Sequence, residues 1–236
     1  MTGRVALVTG ASRGLGLALS RAIADRRWEL VIDARGADGL HAAADQLAET
    51  SRIVAIPGDV SNPGHRAQLA AAVQELGRLD LLVNNASLLG PSPQPSLADY
   101  PLDVLERVYR VNVVGPLALI QLFLPALRAT GGRILNVTSD AGVEGYEGWG
   151  GYGSSKAALE QLSRVLAAEE SGVRVYWVDP GDMKTQMHQE AFPGEDISDR
   201  APPEASVPGF LRLIEGDLPS GRYRAADLVT SGAPAG

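Results

Sequence analysis

Cysteine is absent from this 236-residue chain. That excludes a disulfide framework, a thiolate metal site and a cysteine nucleophile. Histidine is scarce: His41, His65 and His188 lie far apart, show no metal-ligand spacing and read as surface residues, so no metal site is expected. No run of basic residues occurs and the formal net charge is −7, which argues against nucleic acid as a partner. No apolar run reads as long enough to span a membrane. The N-terminus opens on a polar turn and a strand rather than on a signal peptide. A soluble, cytoplasmic protein is therefore expected. The length would allow two small domains, but no Pro/Gly/Ser linker has periodic segments on both sides. Residues 1–236 read as a single domain with a substantial core, since 45% of the residues are apolar.

What the chain does contain is alternation. Short runs rich in Val, Ile and Leu recur at 4–9, 29–34, 52–57, 79–84, 132–139 and 173–178. They are apolar nearly throughout, as strands of a parallel sheet buried on both faces must be. Between them lie stretches of helical composition: Leu15–Arg27, Gly39–Glu49, His65–Leu76, Leu102–Arg128 and Tyr152–Glu170. Strand and helix in repeated succession predict a doubly wound, Rossmann-type α/β domain of six to seven parallel strands, with helices on both faces. One segment breaks the rhythm. Residues 186–208 are polar, carry four prolines and show no period, so about 182–208 is expected to be a substrate loop or lid.

Directly after the first strand stands TGASRGLG, Thr9 to Gly16. The physical logic is that of a dinucleotide site. Gly10 permits a tight turn, Gly14 lets the backbone approach a pyrophosphate, Gly16 lets the helix pack closely on the strand, and the helix N-terminus faces the anion. The spacing, G-x-x-x-G-x-G, differs from the usual G-x-G-x-x-G.

That motif resembles the glycine signature of the short-chain dehydrogenase/reductase family, and the resemblance recurs in order along the chain. Asp59 and Val60 follow the third strand; Asn84, Asn85 and Ala86 end the fourth; Asn112 lies in the long helix. Ser139 ends the fifth strand, Tyr152 and Lys156 follow in YGSSK, and Pro180, Gly181 and Thr185 follow the sixth. The resemblance implies that Gly10, Ser12, Arg13, Gly14, Leu15, Gly16, Arg35, Asp59, Val60, Asn85, Ala86, Tyr152, Lys156, Pro180, Gly181, Met183 and Thr185 bind a nicotinamide dinucleotide. It also implies a catalytic set of Asn112, Ser139, Tyr152 and Lys156.

The chemistry of YGSSK supports this reading. A free tyrosine titrates at about 10 and a lysine at about 10.4, so an unassisted phenol is a poor base at neutral pH. Residues four apart share a helix face, and a neighbouring ammonium favours phenolate. A shift of two or three units needs roughly 3–4 kcal/mol, which one ammonium plus a cationic nicotinamide ring could supply. Tyr152 would then act as general acid or base towards a ketone, aldehyde or secondary alcohol. Ser139 would hydrogen-bond the same oxygen, and strand alternation should turn Thr138 away. By resemblance, Lys156 would also hold the nicotinamide ribose and Asn112 would hold a water relaying protons to Lys156. The other reading of Asn112 is a buried residue satisfying backbone.

The end of the second strand bears on the cofactor. An acid there binds a ribose 2′-hydroxyl, and a nearby arginine accommodates a 2′-phosphate. The run ELVIDARG contains both Asp33 and Arg35. In the resembling family the discriminating acid falls one position later, at Ala34, and a basic residue at the position of Arg35 or Arg13 goes with NADP. NADP is therefore expected over NAD, with Asp33 turned away and paired with an arginine.

Three departures from the family pattern stand out. Ser87 replaces a glycine. The stretch 140–151 is rich in glycine and carries Tyr146 and Trp149, which either line a pocket for a flat or apolar carbonyl compound or pack a flexible loop. The C-terminal part, 216–236, lacks an apolar final strand and a glycine-ending tail. In the resembling family that tail builds a second contact in tetramers, so a homodimer through the helices 102–128 and 152–170 is expected. Two rival functions remain. One is a 3-oxoacyl-thioester reductase, which would need a basic docking patch that the sequence does not show. The other is a non-catalytic NADP sensor, which would not need the Asn112, Ser139, Tyr152 and Lys156 set.

Overall fold

The apolar runs become strands because their Val, Ile and Leu side chains can be buried on alternating faces of one sheet. The structure, a computed structural model, describes residues 3–230. Its strands are β1 (Val5–Val8), β2 (Glu29–Ala34), β3 (Ile53–Pro57), β4 (Leu81–Asn84), β5 (Arg133–Val137), β6 (Arg174–Asp179) and β7 (Gly221–Arg224). All pair in parallel in the order β3-β2-β1-β4-β5-β6-β7. This is the doubly wound arrangement, and its strand order reverses between β1 and β4.

Helices α1 (Gly14–Ala24), α2 (Ala37–Ala48), α3 (Pro63–Leu76), α4 (Leu102–Tyr109), α5 (Gly115–Thr130), α6 (Gly150–Glu169), α7 (Gln186–Ala191), α8 (Val207–Glu215) and α9 (Ala225–Thr230) connect and cover the strands. Two apolar cores result. Val8, Ile32, Val83, Leu135 and Val178 face α1 and α8, where Leu19, Ile23, Phe210 and Leu213 are buried. Leu7, Val31, Leu82, Ile134 and Val175 face α3 and α5, where Leu69, Val73, Phe123 and Leu127 are buried. Burial of each such side chain contributes about 1.5–3 kcal/mol.

The start and stop signals of α3 are explicit. Asn62 accepts from the Gly64 N–H, Pro63 occupies the first turn, and Gly77 closes the helix in the left-handed region at φ 76°. The long helix predicted over 102–128 is interrupted by a π-helical turn, Arg110–Val114, that holds Asn112. Such turns often mark functional positions. The run Leu102–Thr130 is long and apolar enough to cross a membrane by length and composition, contrary to the expectation that no stretch reaches that length. Its apolar character is explained by packing: Leu119, Ile120, Phe123 and Leu127 lie against the sheet.

The seventh strand completes the six to seven expected and is not apolar. GRYR is polar, yet it pairs with β6 from Tyr176↔Gly221 to Asp179↔Arg224. An edge strand needs partners on one side only. This one is fixed by the Tyr223 ring against Tyr176 at 6.0 Å and by ion pairs of Arg222. The glycine-ending tail considered above lies largely outside the described residues. The segment 186–208, expected as loop, opens instead with α7, which Thr185 caps by accepting from the His188 N–H at 3.2 Å.

Candidate active site

A cleft of about 720 Å³ runs along the carboxyl ends of the strands, across the point where the strand order reverses, the usual ligand crevice of such sheets. Its floor is the glycine loop. Gly10 (φ 67°) and Gly14 (φ 56°) occupy the left-handed region. Thr9 Oγ1 accepts from the N–H groups of Asn85 and Ala86, both at 3.0 Å, while Asn85 Nδ2 donates to the carbonyls of Thr9 and Gly10 at 2.8 and 3.2 Å. Loop and β4 end are thereby locked together. A Cβ on Gly16 would stand 2.3 Å from the Gly10 carbonyl oxygen, so Gly16 serves packing and does not line the cleft. Helix α1 begins with no side-chain cap and no acid in its first turn. Its first residues, Gly14 and Leu15, line the cleft, and a free helix start of this kind favours anions.

Of the sequence-predicted cofactor residues, Gly16 and Gly181 lie off the cleft wall and the rest line it. The cavity size, the uncapped helix start and the exposed Arg13 and Arg35 at its edge fit a dinucleotide. Asp59 loses some solvent, yet its carboxyl lies below the usual range because the Ser61 N–H and hydroxyl and the Arg35 guanidinium favour its charge.

Asp33 corrects the sequence reading in its partner. Its carboxylate is turned inward, as expected, but it pairs with no arginine. Oδ1 accepts from the Gly10 N–H at 2.9 Å, and Oδ2 lies 2.9 Å from His65 Nε2. His65, taken from the sequence as a surface residue, is 5% exposed. Its position on α3, facing β2, follows from the packing of that helix and has no local sequence signal.

Tyr152 and Lys156 both lie on α6 and are buried. Lys156 Nζ donates to the Val137 carbonyl at 2.8 Å and sits 5.4 Å from the centroid of the Tyr152 ring. The expected acidification of the phenol is not what this environment produces. Burial pushes Tyr152 above the usual tyrosine range; Asp179 and Asp140 add to that, and a hydrogen bond with Ser87 opposes it. Burial likewise lowers the Lys156 amine to about 8. Burial thus favours the neutral form of both the phenol and the amine.

Ser139 caps a short turn at the end of β5 by accepting from the Ala141 N–H at 3.2 Å, and its hydroxyl donates to Asp140 Oδ1 at 2.9 Å. Thr138 donates its hydroxyl to Glu160 Oε1 at 2.8 Å, yet contrary to the expectation from strand alternation the residue lines both cavities, whereas Ser139 lines the smaller one. Asn112 is 1% exposed. Its Oδ1 accepts from the Leu88 N–H at 2.7 Å and the Ser87 hydroxyl at 3.2 Å, while its Nδ2 donates to the Leu88 carbonyl and Ser155 Oγ at 2.9 and 3.0 Å. The side chain's hydrogen-bonding capacity is therefore spent on the 87–88 backbone and α6, and this geometry matches the backbone-satisfying reading of the side chain.

A smaller pocket of about 100 Å³ adjoins the cleft. Ser139, Asp140, Trp149, Asp179 and Asp182 line it, and Tyr152 borders both cavities. Trp149 meets the Tyr152 ring edge-on at 5.8 Å, which places it in the pocket wall. Tyr146 stays 46% exposed and donates to Asp140 Oδ2 at 3.1 Å.

Sequence reasoning missed the network behind this pocket. Glu160, 1% exposed, accepts from Thr138, from Arg222 Nε at 3.0 Å and from Arg164 at 3.2 Å. Arg222 also donates to the Ser139 carbonyl at 3.3 Å and stands 3.5 Å from Asp179 Oδ2. Tyr152, Lys156 and Glu160 are spaced by four along α6, a pattern visible in the sequence. Arg222 comes from β7 and gives no such signal.

The comparisons with known proteins agree with this geometry. The short chain dehydrogenase family matches residues 4–196. The rhamnolipids biosynthesis 3-oxoacyl-(acyl-carrier-protein) reductase of Pseudomonas aeruginosa is 38% identical, over 94% of this chain and 84% of its own length. The benzil reductase ((S)-benzoin forming) of Saccharomyces cerevisiae is 31% identical, over 99% of this chain and 88% of its own. An alcohol dehydrogenase of the archaeon Thermococcus sibiricus, solved complexed with 5-hydroxy-NADP, superposes with a TM-score of 0.84 at 28% identity, covering 94% of this chain and 95% of that one. The chain belongs to the short-chain dehydrogenase family and is a nicotinamide-dependent oxidoreductase.

Proposed function

We propose that this protein is an NADP-preferring carbonyl reductase in which Tyr152 is the proton donor. The observation that carries this reading is the position of Tyr152. Its buried phenol is the titratable group among the residues that line both the large cleft and the small pocket. The bound nicotinamide would supply the hydride, and the residues of the chain do the rest. Tyr152 gives its proton to the carbonyl oxygen. Ser139, redirecting its hydroxyl from Asp140, donates to the same oxygen and stabilises the developing charge. Lys156, anchored by Val137, places an amine beside the ring and the cleft. Asn112 holds the Ser87–Leu88 backbone that carries a hydroxyl to Asn112 Oδ1 and to the phenol.

NADP preference is supported by the exposed Arg35 and Arg13 at the cleft edge and by the inward turn of Asp33. Planar guanidinium groups suit a 2′-phosphate. The solved relative named as complexed with 5-hydroxy-NADP points the same way. Trp149 gives the small pocket an aromatic wall that suits an apolar carbonyl compound, and the yeast relative is named for an aromatic diketone. The Pseudomonas aeruginosa relative favours the second reading, an acyl-thioester reductase. Against it stand the three carboxylates of the small pocket, Asp140, Asp179 and Asp182, where an anionic carrier would meet repulsion.

Absorbance at 340 nm tests the proposal: purified protein with NADPH or NADH and a panel of ketones, aldehydes, quinones and acyl thioesters. Oxidation of NADPH by compact ketones or diketones is expected. Turnover confined to acyl thioesters would transfer the assignment to the second reading. A dimer through the helical run 102–128 and the helix 152–170 is also proposed, because Val114, Leu122 and Val165 present apolar side chains outward there. Light scattering giving a tetramer would refute it.

A further inference from the structure

Asp33 stands at the cleft where this class of fold can place a ribose-reading acid, yet both of its carboxylate oxygens are engaged within the protein. The residue is 0% exposed. Oδ1 is taken by the Gly10 N–H at 2.9 Å and Oδ2 by His65 Nε2 at 2.9 Å, while the Asp33 carbonyl accepts from the Ala11 N–H at 2.8 Å. Side chain and main chain of one residue thus hold two consecutive amides of the glycine loop. His65 holds that side chain from the other side of the sheet's edge, flush on Gly58, where an added Cβ would come within 2.2 Å of Nδ1. The missing side chain at Gly58 makes room for the imidazole, and each carboxylate oxygen has a hydrogen-bond partner within the protein.

We propose that His65 and Asp33 are positioning residues for the dinucleotide: through Gly10 they fix the turn that aims the first amides of α1 at the pyrophosphate. Neither touches the adenosine ribose. The pyrophosphate is common to NADPH and NADH, so loss of the clamp weakens both cofactors by one factor. An acid that read the ribose would instead affect NADH selectively, because only NADH offers it a 2′-hydroxyl.

The test is equilibrium binding of NADPH and of NADH, by titration calorimetry, to the wild type and to Asp33→Ala, Asp33→Asn, His65→Leu and His65→Gln. Melting curves and steady-state kinetics are recorded on the same preparations. Asp33→Ala is expected to raise both dissociation constants about tenfold, the worth of one or two hydrogen bonds, with their ratio kept within about twofold. Asp33→Asn, whose amide oxygen can still accept from Gly10, should stay near wild type. His65→Leu should raise both constants about threefold to tenfold, and His65→Gln should recover part of that. In each weakened variant KM for the cofactor rises while kcat at saturation is kept, which mere loss of folded protein would not produce. Should Asp33→Ala fail to fold, the His65 pair carries the test alone. A loss confined to NADH would make Asp33 a ribose reader and overturn the proposal. Unchanged affinity in both Asp33→Ala and His65→Leu would overturn it equally. A wild type that binds neither cofactor would fail the dinucleotide assignment itself, and the clamp with it.

Discussion

The Lys156 ammonium sits 5.4 Å from the centroid of the Tyr152 ring, held from behind by the Val137 carbonyl at 2.8 Å. Both groups are buried on α6, and burial moves them in opposite directions: the phenol up, the amine down to about 8. The uncharged form of each group is favoured by desolvation. Of the pair, the lysine is the group that burial brings towards neutral pH.

The Lys156 shift predicts how stability depends on pH. Its folded value lies below the ordinary lysine value of about 10.4, so between roughly pH 8 and 10 the unfolded chain binds more protons than the native one. Stability attributable to Lys156 therefore rises with pH through that window, and the cost of burying the ammonium is fully present below it. Denaturant unfolding at pH 7.5 and 9.5 should show the wild type gaining about 2 kcal/mol relative to Lys156→Met. The chain has two lysines, Lys156 and Lys184, so carbon NMR of labelled lysine can read the titration directly. A resonance titrating near 8 is expected, and two ordinary lysines would refute the prediction.

Arg35 is expected to select the cofactor. Arg35→Ala should weaken NADPH about 10- to 100-fold, the worth of a charge-assisted contact, while NADH changes less than about threefold. Fluorescence titration separates the two. Equal losses would mean that the 2′-phosphate is read elsewhere, with Arg13 the next candidate.

Arg222 bridges Glu160, the Ser139 carbonyl and Asp179. Arg222→Met removes one partner of a carboxylate that is 1% exposed, and breaking such a pair costs several kcal/mol. Partial exposure of Arg222 and the second partner, Arg164, reduce this to about 2–3 kcal/mol, or roughly 5–10 °C in melting temperature. Because Ser139 and Thr138 move with the network, kcat should fall about tenfold with little change in cofactor affinity. Unchanged kcat with a lowered melting temperature would leave the network a purely structural role.

Much of this was legible in the sequence. Fully apolar runs alternating with helical stretches fixed a parallel sheet, because only burial on both faces tolerates such strands. The glycine spacing located the loop at the floor of the cleft, and the order of Asn85, Tyr152, Lys156 and Thr185 gave part of its lining, while Ser139 faces the small pocket. What stayed hidden depends on contacts distant in sequence. The polar strand GRYR is stabilised by its neighbour and by ion pairs rather than by its own apolar content. Asp33 and His65 are 32 residues apart. The desolvation of Tyr152 has no local signal, because spacing on a helix reports proximity to Lys156 but not what else packs around the phenol.

The account rests on one proton, carried by Tyr152. Tyr152→Phe, assayed with NADPH and whichever carbonyl compound the wild type reduces, is the most direct measurement. The account predicts a loss in kcat of about 10²–10⁴-fold, with NADPH affinity and melting temperature close to wild type. A variant that kept turnover within tenfold of the wild type would contradict it and would assign proton donation to another group in the pocket.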